Sequence, residues 1–68
     1  MPYVESSAIR RIEWSGDVLS VWFRSGDRYD YDGVPERVYR GFLAAGSHGA
    51  FFSHYVRDRY PILRKLQH

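Results

Sequence analysis

Large apolar residues recur at every second position through the first half of the chain and at every third or fourth position through the second half. Period two means strand and period three to four means helix, so the chain divides near Gly33-Val34-Pro35 into a sheet-forming part and a helix-forming part. Met1 to Ser7 reads as a loosely held arm. From Ala8 to Trp14 the pattern is strand-like, with Arg10, Ile12 and Trp14 on one face and Ile9, Arg11 and Glu13 on the other. Val18 to Phe23 alternates cleanly, with Leu19, Val21 and Phe23 inward and Ser20 and Trp22 outward.

Gly16-Asp17 between these strands is expected to make a type II′ turn, because glycine leads the pair. That turn sets Ser15 opposite Val18, Trp14 opposite Leu19 and Ile12 opposite Val21, which gathers the large apolar residues on one face. The next link follows by elimination. A two-residue turn at Ser25-Gly26 would place Asp30 opposite Val21 in the core and bury a charge. A three-residue loop, Arg24-Ser25-Gly26, instead puts Gly26 at the left-handed closing position and opposes Val21 with Tyr29 and Leu19 with Tyr31. The resulting inner rows are Ile12, Val21, Tyr29 and Trp14, Leu19, Tyr31. The outer rows are Arg11, Trp22, Arg28 and Glu13, Ser20, Asp30.

Pro35 at a first helical position then opens a helix running to about Ala45, with Glu36 favourably placed in its first turn. Val38, Tyr39, Phe42, Leu43 and Ala45 form its apolar stripe. Gly46 is expected as the left-handed residue that ends it. Ser47 caps a second helix of roughly His48 to Arg59 carrying Phe51, Phe52, Tyr55 and Val56, which Pro61 stops. Ile62 to His68 is a short basic amphipathic tail, either a last helical turn or disordered. The expected architecture is α+β: a three-stranded antiparallel β-meander followed by two α-helices packed on one face, in the order β-β-β-α-α. Its core is Ile12, Trp14, Leu19, Val21, Phe23, Tyr29, Tyr31, Val38, Phe42, Phe52 and Val56.

Length sharpens this picture. With 68 residues and no cysteine, a single domain must hold together without disulfides or a thiolate metal site, and the 18% aromatic content is the means. The net charge is a mild +2, but nine of the ten basic residues are arginine, the better fork for phosphate and the better stacker on rings. A GC-rich genome produces the same bias. No apolar run approaches the roughly 20 residues a membrane span needs, and Met1-Pro2-Tyr3 is unlike a signal peptide, so a cytoplasmic protein without membrane contact is expected.

Ser6-Ser7-Ala8-Ile9, Phe23-x-Ser25-Gly26, Tyr29-Asp30-Tyr31, Val34-Pro35, Ala45-x-Ser47-x-Gly49, and Phe51-Phe52 followed by Tyr60-Pro61 together resemble the KTSC domain. The resemblance runs from about Val4 to Pro61, which marks a single domain with residues 62–68 as a tail. It implies a small bacterial or phage domain, similar to one found at the C-terminus of some lysyl-tRNA synthetases. It transfers no activity, only a suggestion of RNA binding.

Candidate chemistry is sparse. The row Arg11, Trp22, Arg28 would present an indole between two guanidiniums, suited to a stacked base and its phosphates. The plainer reading is that the arginines cover an exposed ring through cation–π contacts. Arg57, Arg59, Arg64 and Lys65, with Arg37 and Arg40, would form a basic helical side with salt-sensitive affinity for phosphate, or else an ordinary solvated face. Glycines 46 and 49 around Ser47 would suit an anion at a helix start, though turn chemistry accounts for them as well.

His48 and His54, six apart on one helix, make no metal pair, and the position twelve along from Asp30 is Gly41 rather than the glutamate a calcium loop needs. Adjacent Ser47 and His48 do not face each other as a nucleophile and base must. No enzyme, cofactor or metal is therefore expected. The leading expectation is a small binding module for RNA or tRNA, and the alternative is a protein docking module with Trp22 as anchor, in either case a monomer or weak homodimer.

Overall fold

The computed structural model describes residues 8–66, so the expected arm at Met1 to Ser7 lies outside the described residues, as does the end of the tail. Its elements are β1 (Ile9–Ser15), β2 (Val18–Phe23), β3 (Arg28–Tyr31), α1 (Glu36–Ala44), α2 (His48–Phe51), a π-helical turn (Phe52–Val56) and β4 (Ile62–Leu66). The four strands form one antiparallel sheet in the order β1-β2-β3-β4. The fourth strand corrects the expected three-stranded meander, and the segment expected as a helical turn or disordered tail is what supplies it.

Both hairpin registers are those the alternation dictates. Ser15 pairs Val18, Trp14 pairs Leu19, Ile12 pairs Val21, and β3 adds Tyr29 opposite Val21 and Tyr31 opposite Leu19. The second link is the three-residue loop: Gly26 has φ 102°, the Gly26 N–H donates to the Phe23 carbonyl at 3.0 Å, and the Phe23 N–H donates to the Asp27 carbonyl at 2.9 Å. The first turn differs from expectation. Gly16 (φ 56°) and Asp17 (φ 67°) are both left-handed, which is type I′ rather than II′, and the short polar Asp17 side chain tolerates that region.

One side chain of β1 changes face. Ile9 pairs Phe23 and Arg11 pairs Trp22, so Arg10 is an extra residue, a β-bulge, and Ile9 turns inward to full burial instead of lying on the outer face. A second bulge at Leu63 acts likewise in β4, setting Ile62 opposite Tyr31 and Arg64 opposite Asp30.

Pro35 is the extended residue before α1 (φ −73°, ψ 156°) rather than its first helical one, and its carbonyl accepts from the Val38 N–H at 3.0 Å. The preceding Val34 is tied to the first hairpin, because its N–H donates to the Asp17 carbonyl (2.8 Å) and its carbonyl accepts from Trp14 Nε1 (2.7 Å). Val34 is accordingly buried, a core residue that the strand and helix patterns both passed over. After α1, Ala45 is extended (φ −65°, ψ 141°), and Gly46 is not among the residues with positive φ, so it is not the left-handed terminator expected. Ser47 does cap α2, its hydroxyl accepting from the Ala50 N–H at 3.3 Å.

The second helix does not reach Arg59. Its last turn widens, with the Arg57 N–H donating to the Phe52 carbonyl five residues back (2.8 Å), and Phe52 and Val56 are both buried in the core. Arg57 is then extended and Asp58 left-handed (φ 63°), so the helix ends at Val56 before Pro61 is reached. This reversal sends the chain back to the sheet, where the Asp32 N–H donates to the Pro61 carbonyl at 3.0 Å and β4 starts beside β3.

The buried core is Ile9, Ile12, Leu19, Val21, Tyr31, Val34, Phe42, Phe52 and Val56, with Trp14, Phe23, Tyr29 and Val38 half-buried against it together with Tyr39, Phe51 and Tyr60. Fully burying each aliphatic or Phe side chain contributes about 1.5–3 kcal/mol, which is how so short a chain holds its fold. No helix among the described residues is long and apolar enough to cross a membrane.

Candidate functional site

The outer face of the sheet is built from two rows of four, one residue per strand. The register aligns Arg11, Trp22, Arg28 and Leu66 in one and Glu13, Ser20, Asp30 and Arg64 in the other. In the first row the Arg11 guanidinium lies 4.3 Å from the centre of the Trp22 ring and that of Arg28 lies 4.7 Å from it. A ring flanked by guanidiniums from both neighbouring strands is a cation–π tier, so the indole is half-buried and not an open platform. Each of these arginines also holds a carboxylate of the second row, Arg11 with Glu13 and Arg28 with Asp30.

Asp30 is the pivot of the second row. Alternation alone puts it on a wet face, yet it is only 1% exposed. Arg28 reaches it with two hydrogen bonds, Nε to Oδ1 at 2.9 Å and Nη2 to Oδ2 at 3.2 Å, and Arg64 adds Nε to Oδ2 at 3.1 Å. Burial pushes this carboxyl up, but hydrogen bonds from Arg28, Ser20 and Arg64 and the Arg28 charge outweigh it and hold the pKa below the ordinary carboxylate value. The group stays ionised, and the face carries three guanidiniums against two carboxylates. Arg64 is the member of this face that sequence reasoning assigned elsewhere. The available signal was an acid set between two inward tyrosines, which needs a cation from a neighbouring strand.

The other basic residues do not form one patch. Arg64 belongs to the outer face, while Lys65 lies on the inner side, its ammonium 5.3 Å from the centre of the Tyr29 ring. Arg40 pairs with Glu36 within α1. Arg37 and Arg59 border a hollow of about 510 Å³ beside Phe51, Tyr55 and Tyr60. Tyr55 is the most exposed ring there at 57% and packs on Phe51 with centroids 4.7 Å apart.

Arg57 lines a separate hollow of about 590 Å³ at the end of the sheet, where the loop after β2, the π-helical turn and β4 converge. Phe23, Tyr29, Tyr31 and Phe52 form its aromatic wall, in edge-to-face or tilted contacts with centroids 5.2–6.4 Å apart around a closed circuit. Burial, and after it the neighbouring Tyr29, pushes the Tyr31 phenol up to about 12, against the opposing pull of Arg57. Tyr29 and Tyr31 are thus inner-face residues, as the register requires.

Among the described residues no group of three His, Asp or Glu side chains is placed to hold a metal ion. An antiparallel sheet with helices on one side and a layer of ion pairs and cation–π contacts on the other defines a small α+β domain. The chain belongs to the KTSC domain family, whose model matches residues 5–60. It is similar to a KTSC domain protein from Yersinia pestis seen by crystallography, with 36% sequence identity, a TM-score of 0.89, and coverage of 96% of this chain and 93% of that one. No curated protein matches the chain in sequence.

Proposed function

We propose that this domain is a non-enzymatic binding module of the cytoplasm that holds RNA on the outer face of its sheet. The observation that carries the reading is the guanidinium–indole–guanidinium tier of Arg11, Trp22 and Arg28, extended along the face by Arg64. Trp22 acts there as the support that spreads and orients the arginines. Arg28 and, more fully, Arg64 keep exposed guanidinium surface on which a base can stack and N–H groups that reach phosphate. The resemblance of the sequence motifs to a domain at the C-terminus of some lysyl-tRNA synthetases favours tRNA as the form of RNA.

Fluorescence anisotropy with labelled tRNA and with an unstructured RNA oligonucleotide tests this reading. Binding in the sequence-indifferent range of about 10⁻⁴–10⁻⁶ M is expected. With about three phosphate contacts, raising salt from 50 to 200 mM should weaken it about 20-fold on the single-strand slope. Arg64→Gln should weaken it severalfold and flatten the salt slope by about one contact. Affinity unchanged in both Arg64→Gln and Trp22→Ala rules out the sheet face.

The second reading, a docking surface for a protein, is favoured by Leu66, which is 45% exposed and stands in the same row as Trp22 and Arg28. There the indole is a hot-spot anchor with an arginine rim. Capture of a partner that survives high salt would support it over RNA, because phosphate contacts collapse under those conditions.

A further inference from the structure

The 590 Å³ hollow lies on the inner side of the sheet, opposite the proposed RNA-binding face, and it has the features of a small-molecule site. Its size falls within the roughly 300–1,000 Å³ typical of ligand pockets, and its lining is mostly apolar with a few polar groups. Phe52 and Tyr31 are buried and form the floor, while Phe23 and Tyr29 are half-buried and form walls. Rings set edge to face offer a planar aromatic guest the same offset and edge contacts that they make with one another.

The charge of the hollow selects among planar guests. Among the described residues Arg24 and Arg57 line it with one acid, Asp27, and the Lys65 ammonium lies 5.3 Å from the centre of the Tyr29 ring. Arg57 has its side chain 59% exposed, and its ion pair among the described residues is with the well-exposed Asp58 carboxylate at 3.9 Å, a contact that solvent screens. Its guanidinium is therefore able to turn to a guest. We propose that this hollow is a binding site for a planar aromatic anion, a single ring system bearing a carboxylate or phosphate, with the ring held by Phe23, Tyr29 and Phe52 and the anionic group held by Arg57.

Amide chemical-shift titration of the whole chain tests the site. The probes are 4-hydroxybenzoate for the carboxylate form and adenosine monophosphate for the phosphate form, with 4-hydroxybenzyl alcohol and adenosine as neutral counterparts. The expected result is saturable binding of at least one anion, near 1 mM for a ligand of about ten heavy atoms. The shifts should centre on Phe23 to Tyr29, Phe52 and Arg57. Saturation by one anion alone assigns the anionic group. Arg57→Gln should weaken anion binding at least fivefold and leave the neutral probes unchanged, and Arg57→Lys should restore part of the loss. No saturation by either anion, shifts centred elsewhere, or a neutral probe binding as tightly as its anion would overturn the proposal.

Discussion

The charge cluster around Asp30 makes a graded prediction about stability. Arg28→Gln removes a two-point, charge-assisted contact of 2.9 and 3.2 Å together with one cover of the Trp22 ring, an expected loss of about 2–3 kcal/mol. Arg64→Gln removes one bond of 3.1 Å from a side chain that is 59% exposed, so solvent screening reduces the loss to about 1 kcal/mol. The double variant leaves a buried carboxylate with Ser20 alone, and an uncompensated buried charge costs about 3–5 kcal/mol. A domain of this length is held by only about 3–5 kcal/mol, so the double variant should be largely unfolded at 25 °C. Asp30→Asn added to it should restore folding, because the charge itself is removed.

Urea melts followed by circular dichroism measure each step, with the slope checked for constancy so that midpoints report stability. The acid limb follows from the same group. Its folded pKa lies below the value of about 3.9 it has in the unfolded chain. Its contribution is therefore present above about pH 4 and is lost as pH falls through the folded value, and Asp30→Asn should flatten that part of the profile. If Arg64→Gln costs no more in the Arg28→Gln background than in the wild type, the two arginines do not share one buried charge and the reasoning fails.

Two further outcomes concern the helical side. Gly49→Ala in α2, where an added Cβ meets nothing within 4 Å, should raise stability by about 0.5–1 kcal/mol in a thermal melt, whereas Gly41→Ala in α1 should bring no such gain because its Cβ would lie 3.2 Å from the Phe51 ring. His48 is packed beside Phe42 with both ring nitrogens buried and no protein partner among the described residues, so His48→Leu should raise the urea midpoint by about 1 kcal/mol of stability; a fall would mean that a nitrogen is bonded after all.

The parts of the fold legible in the sequence are those governed by local alternation and turn chemistry. Leu19, Val21, Tyr29 and Tyr31 could be placed because period two, one tight turn and one left-handed glycine leave a single register that keeps charge out of the core. The alignment of Arg11, Trp22 and Arg28 followed from that register without further assumption. What escaped was set by departures from periodicity. The extra residue at Arg10 turned Ile9 inward, and the one at Leu63 gave β4 apolar positions 62, 63 and 66, a spacing that imitates a helix. Alternation alone puts Asp30 on a wet face, because its second cation arrives from 34 residues away. The aromatic hollow depends on where the widened turn at Phe52–Val56 ends, which no pattern of residue types announces.

The partner of β3 is thus the last strand made. As the chain leaves the ribosome, the β1–β2–β3 meander can form while both helices are still emerging, with the open backbone of Arg28–Tyr31 exposed and Asp30 lacking its second guanidinium. An unpaired strand edge recruits other strands, so the interval before Ile62–Leu66 docks is the one in which nascent copies are most prone to join each other. Shortening the chain at Pro61 would make that interval permanent, and a bacterial cell expressing such a fragment would accumulate it in inclusion bodies.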